Sequence, residues 1–185
     1  MASAWDRVGD RIGHLALAVD PASGVQLYLT NRALRSRIVV EYGSSIGVSA
    51  IYLGLAVRAN GGGQVIGSEL RPEKVARARA NVEEAGLADI VEIREGDARE
   101  TLADVPGPID FLHNDGFPGA MLAVTRALAP RMRQGAHVHA GNVVLFPADH
   151  EDYVAWMRDP ANGFRSARLA MNLGGEVSVR EVTTP

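Results

Sequence analysis

A glycine-rich turn beside an acidic residue is the segment whose residue types point most directly to chemistry. Its glycines let the backbone turn tightly and approach a ligand closely. The helix predicted to follow the turn offers unpaired N–H groups and the positive end of its dipole. Small hydroxyls add hydrogen bonds without filling the pocket. The segment, which predicts a site for a small polar ligand, reads Glu41-Tyr-Gly43-Ser44-Ser45-Ile-Gly47-Val-Ser49.

A second acidic residue, Glu69, lies 22 positions beyond Gly47, at the end of the next predicted strand. Doubly wound folds place there the carboxylate that accepts hydrogen bonds from ribose hydroxyls, so we expect a nucleoside-containing ligand. The turn lacks the second glycine of the dinucleotide fingerprint, and no Gly-Lys-Ser/Thr follows as in a P-loop. Glu41 suits a cation, such as the amino group of S-adenosylmethionine, better than phosphates. The alternative is a loop that only connects a strand to a helix.

Three histidines lie at alternating positions of two predicted strands. His113 shares a strand face with Asp115, and His137 and His139 share one with Gly141, because strand side chains alternate. If the two strands are neighbours, the side chains of His113, Asp115 and His139 converge. They would then lie near the carboxyl edge of the sheet, where such folds bind ligands.

These histidines have two functional interpretations and one structural one. An imidazole can act as a general base, for which His139 is the preferred candidate. Histidine and aspartate ligands can also form a metal site that favours Mn, Fe, Ni or Zn over Mg. The structural alternative is buried neutral imidazoles that hydrogen-bond to the backbone. His150 lies in a loop that either folds over the substrate or faces solvent, and His14 is given no role.

Short apolar runs alternate with amphipathic segments along the chain, which is typical of a parallel α/β sheet. We expect one α/β domain over residues 1–185, with a Rossmann-like, doubly wound, mostly parallel sheet and an antiparallel C-terminal hairpin strand. It comprises an N-terminal helical region (1–36), a cofactor-binding core (37–142), and a loop, helix and hairpin (143–185). The predicted strands are Arg37–Tyr42, Gln64–Glu69, Ile90–Arg94, Ile109–Asn114, Ala136–Ala140, Phe164–Ala170 and Glu176–Val182. The predicted helices are Gly47–Arg58, Arg71–Ala85, Ala98–Asp104, Gly119–Arg133 and Asp149–Arg158.

The composition argues against several classes of protein. The 185 residues include 19 Lys or Arg and 22 Asp or Glu, and the resulting net charge of −3 argues against non-specific nucleic-acid binding. Without cysteine there is no disulfide framework and no thiolate zinc site. No apolar run reaches the roughly 20 residues that span a bilayer, and nothing marks export, so we expect a cytoplasmic protein. The charges of residues 71–84, including Lys74, are expected on a solvated helix face, and Arg131 and Arg133 at a helix end.

Taken together, the motifs resemble the class I S-adenosylmethionine-dependent methyltransferases, specifically the small bacterial O-methyltransferases related to catechol and caffeoyl-CoA O-methyltransferases. The resemblance covers nearly the whole chain, and it implies S-adenosylmethionine as cofactor. It rests on VVEYGSSIGVSAIYLGLA (39–56), VIGSELRPEKVARARANVEEAGL (65–87), GDARETL (96–102), IDFLHNDGF (109–117), GAHVHAGNV (135–143), RDPANGFRSARL (158–169) and GGEVSVR (174–180). The implied cofactor residues are Glu41, Gly43 and Ser49 for the methionine part, with Ser44, Ser45 and Gly47 in the same turn, Glu69 for the ribose, Gly96, Asp97 and Ala98 for the adenine edge, and Asp115 beside the methyl donor.

Two departures from the family pattern concern the metal and the base. The family's divalent-metal site takes an Asp from the end of strand four and an Asp-Asn pair from the end of strand five. Here these positions are Asp115 and Gly141-Asn142, so one carboxylate is missing. A lysine often found three residues after the first Asp is Pro118. Mg²⁺ binding is therefore weakened, with Asp115 and Asn142 as the ligands of any metal that binds.

The leading hypothesis is methyl transfer from S-adenosylmethionine to an oxygen of a small-molecule acceptor, bordered by Asp115, His139, His113 and Asn142. The alternatives are cyclisation of the cofactor, N- or C-methylation, and a catalytically silent partner subunit. A nicotinamide oxidoreductase is disfavoured by the glycine spacing. We expect neither nucleic acid nor membrane as a partner, and the resemblance leaves a homodimer open. The acceptor pocket is expected from Met1–Gly24 and Val143–Tyr153, with Trp5, Phe117, Phe146 and Trp156 as candidate aromatic contacts.

Overall fold

A mixed seven-stranded sheet organises the chain. The computed structural model describes residue 15 and residues 17–144, 146–169 and 175–181. Its strands are β1 (Ile38–Tyr42), β2 (Gln64–Glu69), β3 (Val91–Glu95), β4 (Ile109–Asn114), β5 (Met132–Ala140), β6 (Phe164–Leu169) and β7 (Gly175–Arg180). Its helices are α1 (Pro21–Leu34), α2 (Val48–Ala59), α3 (Pro72–Glu84), α4 (Ala98–Thr101), α5 (Pro118–Leu128) and α6 (Glu151–Arg158). The strand order β3-β2-β1-β4-β5-β7-β6 confirms the predicted doubly wound α/β fold.

Alternating side chains of β1 enter two apolar cores, one on each face of the sheet. Val39 belongs to the core that includes Leu53 of α2 and Phe111 of β4. Val40 belongs to the opposite core, which includes Tyr153 of α6. Both valines are fully buried, as expected for a parallel strand that is covered by helices on both sides.

The carboxyl ends of five strands meet at one edge of the sheet, because β3, β2, β1, β4 and β5 are parallel. β7 pairs antiparallel with β5, and β6 pairs antiparallel with β7, which confirms the hairpin at the sheet edge. Glu176 of β7 is fully buried, and its two oxygens accept hydrogen bonds from Arg158 of α6 at 2.7 and 2.8 Å. This ion pair ties the hairpin to α6.

The end of α5 corrects one predicted boundary. The helix predicted over Gly119–Arg133 ends at Leu128, and β5 starts at Met132 instead of Ala136. Pro130 lies in a 3₁₀ turn between the two elements. Proline has no N–H to donate, and its ring clashes with the preceding helical turn, so the helix cannot continue through this position.

Of three basic side chains with a predicted place, two lie differently from the sequence expectation. Arg133 is in β5, not at a helix end, and its Nε donates to Asp110 over 2.5 Å. Arg131 lies at a helix end as expected, in the 3₁₀ turn after α5, and donates to the carbonyl oxygens of Ala103 and Ala127 over 2.8 and 3.2 Å. Lys74, expected on a solvated face of α3, is only 7% exposed, and burial lowers its pKa. Its long aliphatic stem allows this burial.

The helix α1 is the described part of the predicted N-terminal helical region. Asp20 caps it, because its Oδ1 accepts hydrogen bonds from the backbone N–H groups of Ala22 and Ser23 at 2.9 and 3.1 Å. His14 and Trp5 lie outside the described residues. Within the described ranges, no helix combines the length and the apolar character needed to cross a membrane.

Candidate active site

The loops after β1 and β4 meet at the carboxyl edge of the sheet, where the strand order switches direction. Gly43 has a φ of +90°, and a Cβ on it would lie 2.6 Å from the Cα of Gly116. Only glycine permits this conformation and this approach at low cost. The N–H of Asp115 also donates to the carbonyl oxygen of Tyr42 over 2.9 Å. The two loops therefore meet at the place where doubly wound folds form their ligand-binding crevice.

Glu69 is held by the backbone of the surrounding loops. Its Oε2 accepts a hydrogen bond from the N–H of Ser45 at 2.8 Å, and its Oε1 accepts one from the N–H of Arg71 at 3.0 Å. Gly47, with a φ of +84°, precedes the first residue of α2 in the same turn. The Ser45 hydroxyl has no hydrogen-bond partner among the described residues. Each carboxylate oxygen of Glu69 can accept a second hydrogen bond, so acceptor capacity is left for a ligand.

Glu41 is a buried carboxyl group next to the glycine turn. It is 0% exposed, and within the described part of the chain neither of its oxygens has a partner in hydrogen-bond geometry. Burial raises its pKa to about 7; the nearby hydroxyls of Ser44 and Ser49 lower the pKa, and the charges of Asp115 and Glu69 raise it. Buried polar atoms are rarely left without partners in native proteins. The arrangement fits the cationic amino group of S-adenosylmethionine, which would both neutralise and hydrogen-bond this carboxylate.

The loop after β3 lies beside Glu69. The N–H of Gly96, whose φ is +127°, donates to the carbonyl oxygen of Glu69 over 2.9 Å. Asp97 caps α4, since its Oδ1 accepts a hydrogen bond from the N–H of Arg99 at 2.9 Å. The Arg99 side chain also hydrogen-bonds to this carboxylate and lowers its pKa. The residues predicted at the adenine edge, with Ala98 buried, are thus next to the predicted ribose residue.

His113 lies between His139 and Asp115, on the shared strand face that alternation predicts. His113 of β4 and His139 of β5 are register partners, with Nδ1 atoms 3.3 Å apart and near-parallel rings whose centroids are 5.4 Å apart. Nε2 of His113 lies 3.8 Å from Oδ2 of Asp115. Burial lowers the pKa of His113 to about 3, with a further contribution from His139, and burial lowers that of His139 to about 4. Burial also raises the pKa of Asp115 to about 7.

The donor set around Asp115 does not fit a divalent metal. Nδ2 of Asn142 donates to Oδ1 of Asp115 over 2.9 Å, so the amide presents a donor instead of a ligand oxygen. A Cβ at Gly141 would overlap the same Oδ1, so the Asp115 side chain would have to move to admit the missing aspartate. A metal between the two histidine Nδ1 atoms would lie on the far side of the His113 ring from Asp115. In the described residues, no group of three or more His, Asp or Glu side chains could hold a metal ion.

Other singled-out residues lie apart from this cluster. Burial and the charge of Arg133 lower the pKa of His137, which is two residues before His139 on β5. Of the two alternatives for His150, solvent exposure is wrong: the residue is 1% exposed, with its Nδ1 2.8 Å from the carbonyl oxygen of Phe146. Trp156 packs against the core on the α6 side of the sheet.

Tyr42 is a residue of this site that the sequence analysis did not single out. Its hydroxyl donates to the carbonyl oxygen of Phe117 over 2.9 Å, and a Cβ on Gly116 would overlap its ring. Tyr42 therefore holds the loop that carries Asp115 against the end of β1. The sequence could have pointed to Tyr42, because it is an aromatic residue in the last strand position before Gly43. It does not show, however, what the Tyr42 ring contacts.

Known proteins share both the sequence pattern and the fold. A family model described as a methyltransferase domain matches residues 40–143. A catechol O-methyltransferase of Mycobacterium tuberculosis is 33% identical over 148 residues, covering 77% of this chain and 66% of that protein. A catechol O-methyltransferase of Niastella koreensis is 29% identical over 136 residues, covering 71% of this chain and 61% of that protein. The chain thus spans less than two thirds of the length of these curated relatives.

Solved structures give the same architecture. An O-methyltransferase from Bacillus cereus in complex with S-adenosylhomocysteine has a TM-score of 0.82 at 23% identity, covering 95% of this chain and 88% of that one. An O-methyltransferase from Streptomyces achromogenes in complex with S-adenosylmethionine has a TM-score of 0.81 at 22% identity, covering 95% of this chain and 87% of that one. At this level of sequence identity, the structural similarity establishes the fold of this chain.

The sheet order, the antiparallel hairpin and the crevice at the switch point define the fold class as that of the class I methyltransferases. The chain belongs to the methyltransferase domain family, whose model matches more than half of its residues. The resemblance to the class I S-adenosylmethionine-dependent O-methyltransferases that the sequence motifs carry is thereby confirmed.

Proposed function

We propose that the chain is a methyltransferase that uses S-adenosylmethionine to methylate an oxygen of a small-molecule acceptor. The observation that carries this proposal is the buried Glu41 carboxyl group, close to the glycine turn and Glu69. Among the described residues it has no partner in hydrogen-bond geometry, and the hydroxyls of Ser44 and Ser49 lie near it. The relatives named catechol O-methyltransferases, and the neighbours in complex with S-adenosylmethionine or S-adenosylhomocysteine, support it.

In this proposal each end of the cofactor has its own residues. Glu41 binds the amino group of the methionine part, because a cation at this position lowers the pKa of the carboxyl group and ionises it. Glu69 accepts hydrogen bonds from the ribose hydroxyls with its remaining lone pairs. The turn and the adenine edge supply the other contacts, from Gly43, Ser44, Ser45, Gly47, Ser49, Gly96, Asp97 and Ala98.

The acceptor is placed over the carboxyl ends of β4 and β5, bordered by Asp115, Asn142, His113 and His139. The bound cofactor supplies a methyl group that is already activated by its sulfonium. The protein aligns the acceptor oxygen, excludes water and takes up one proton. No step uses a metal, because the donor set around Asp115 does not fit one. A cytoplasmic location and a homodimer stay predictions from the sequence.

Product analysis tests this function. The purified chain is incubated with S-adenosylmethionine labelled in its methyl group and a panel of phenols that includes catechol. We expect S-adenosylhomocysteine and a labelled methyl ether, both dependent on the acceptor. Methylthioadenosine would instead indicate cyclisation, and a labelled amine or carbon product another transfer. Tight binding without turnover on any acceptor would indicate a silent subunit, and each of these results would contradict the proposal.

A further inference from the structure

A cavity of about 790 Å³, the amino-edge cavity, lies at the edge of the sheet opposite the candidate active site. Its walls come from the amino ends of the parallel strands β1, β2, β4 and β5 and from the end of α1. This volume is within the range of about 300–1,000 Å³ that small-molecule sites occupy. The residues proposed for the cofactor lie toward the carboxyl ends of the strands, so the amino-edge cavity is separate from them.

Three arginines and one aspartate line this cavity. Oδ2 of Asp110 accepts hydrogen bonds from the backbone N–H groups of Arg37 and Ile38, both at 2.8 Å. Oδ1 of Asp110 accepts a hydrogen bond from Nε of Arg133 over 2.5 Å. The negative charge of Asp110 is therefore balanced by Arg133 and by two backbone donors, and it does not compensate the side chains of Arg35 and Arg37.

The guanidinium groups of Arg35 and Arg37 are accessible to a ligand. Both residues are exposed, and within the described part of the chain neither guanidinium forms a hydrogen bond or an ion pair. The whole chain has a net charge of −3, so these two cations form a local positive region on an acidic protein. A guanidinium group matches the oxygens of a phosphate or carboxylate in bidentate geometry, so the cavity favours an anion.

Arg35 has a backbone conformation that favours glycine. It is the C-cap residue of α1, with a φ of +52°, and this left-handed conformation costs free energy in any residue that has a Cβ. A cation near the end of a helix offsets the helix dipole, but Arg32 already lies in the last turn of α1. Strained residues of this kind are concentrated at functional sites, so the strain indicates a function for the Arg35 side chain.

The remaining walls of the cavity include the apolar side chains of Leu34, Ile38 and Pro108. A bare inorganic ion would leave these side chains without a contact, whereas an organic molecule can place its apolar part against them. Two arginines at one cavity favour a group with two negative charges over a single carboxylate. A phosphate ester carries nearly two negative charges at about pH 8, because its second pKa is about 6.

We propose that the amino-edge cavity binds a small organic phosphate, with Arg35 and Arg37 at the phosphate group and the apolar side chains of the cavity against its organic part. The inference does not rest on the proposed methyl transfer, because the two sites lie at opposite edges of the sheet. Since the two arginines are exposed, added salt weakens this binding. Binding in the cavity leaves the affinity for the cofactor unchanged.

NMR of nitrogen-15-labelled protein locates the bound probe, which is phenyl phosphate at about pH 8, where its phosphate is largely doubly charged. Gly63 and Gly107 line the cavity, whereas Gly43 and Gly47 belong to the turn in the candidate active site. We expect phenyl phosphate to shift the amide signals of Gly63 and Gly107 saturably and to leave those of Gly43 and Gly47 unchanged. Saturating S-adenosylhomocysteine should not alter the affinity. Inorganic phosphate should shift the same signals with lower affinity, because it makes no apolar contact.

Arginine variants test which charges bind the phosphate. We expect Arg35→Gln and Arg37→Gln each to weaken phenyl phosphate binding about three- to fivefold, as for an exposed ion pair, and the double variant to weaken it about tenfold or more. Arg77→Gln, at an exposed position of α3 outside the cavity, is the matched control and should bind like the wild type. Arg35→Gly should lose the same affinity while its melting temperature rises by about 2–4 °C, because glycine relieves the left-handed conformation.

Four results would each overturn the inference. They are no shift at Gly63 and Gly107, displacement of phenyl phosphate by S-adenosylhomocysteine, unchanged affinity in the double arginine variant, and equal affinity for inorganic phosphate and phenyl phosphate. Absence of methyl transfer by the wild-type protein would contradict only the proposed function, because the two glycine signals report on the amino-edge cavity by themselves.

Discussion

Two carboxyl groups in the candidate active site have pKa values that burial raises to about 7, Glu41 and Asp115. Each gains a proton on folding at a pH where the unfolded chain is already ionised. Ionisation of either group in the folded protein costs free energy unless a cation or hydrogen-bond donor compensates. At the scale of single residues, the site is therefore prepared for a positively charged ligand at the expense of stability in the free protein.

Replacement of Glu41 by glutamine tests this cost. Between about pH 4.5 and pH 7 the folded wild-type protein binds more protons than the unfolded chain, so its free energy of unfolding falls as the pH rises through this window. Glu41→Gln removes one titrating group and mimics the protonated carboxyl. We expect its melting temperature to exceed that of the wild type by about 3–6 °C at pH 8 and to match it at pH 4.

The exposed Glu73→Gln is the matched control for this experiment and should melt like the wild type at both pH values. Thermal unfolding followed by circular dichroism, in the absence of ligand, is sufficient. An equal pH dependence of the melting temperature in wild type and Glu41→Gln would show that the Glu41 carboxyl group does not carry the raised pKa.

At the scale of elements, the attachment of the hairpin depends on one buried ion pair. Glu176 of β7 is fully buried and accepts both of its hydrogen bonds from Arg158 of α6, whose side chain is 43% exposed. Removing the arginine leaves a buried carboxylate without its partner, which is far costlier than the net value of the pair. The strand β7 also covers β5, which carries His139.

Arg158→Ala should therefore lower the free energy of unfolding by about 2–3 kcal/mol, somewhat less than for a fully buried pair because water can reach the vacated position. Arg165→Ala, which breaks the exposed pair with Glu181, is the control and should cost no more than about 0.5 kcal/mol. Urea denaturation of both variants gives the comparison. Similar losses in the two variants would mean that the Arg158–Glu176 pair does not anchor the hairpin.

The sequence alone predicted the sheet, the positions of the glycine turn and Glu69, and the contact between His113 and His139. These were predictable because strand alternation and parallel pairing determine which residues share an edge of the sheet. The sequence prediction placed the start of β5 four residues late, since an apolar-poor strand start after Pro130 carries no clear periodicity. The sequence did not predict the burial of Lys74, because a charged residue among other charged residues of a helix is expected to face solvent. The contacts of Tyr42 depend on the path of a distant loop.

At the scale of the whole molecule, four loops from strands distant in sequence form one site at the switch point of the sheet. Hydrogen bonds from backbone N–H groups connect them: Ser45 donates to the Glu69 carboxylate, Gly96 to the Glu69 carbonyl oxygen, and Asp115 to the Tyr42 carbonyl oxygen. The contacts that form the site thus belong to the chain itself and run through backbone and buried groups. Such a site is expected to bind one ligand of the right charge and shape without major rearrangement.

Isothermal titration calorimetry with S-adenosylmethionine tests the central claim most directly. We expect one saturable site in the wild-type protein. In Glu69→Ala the affinity should be at least about tenfold weaker, which corresponds to a binding free energy less favourable by about 1.4 kcal/mol. The exposed Glu73→Ala variant should bind with unchanged affinity. No binding by the correctly folded wild-type protein, or equal affinity in Glu69→Ala, would contradict the assignment of this crevice to the cofactor.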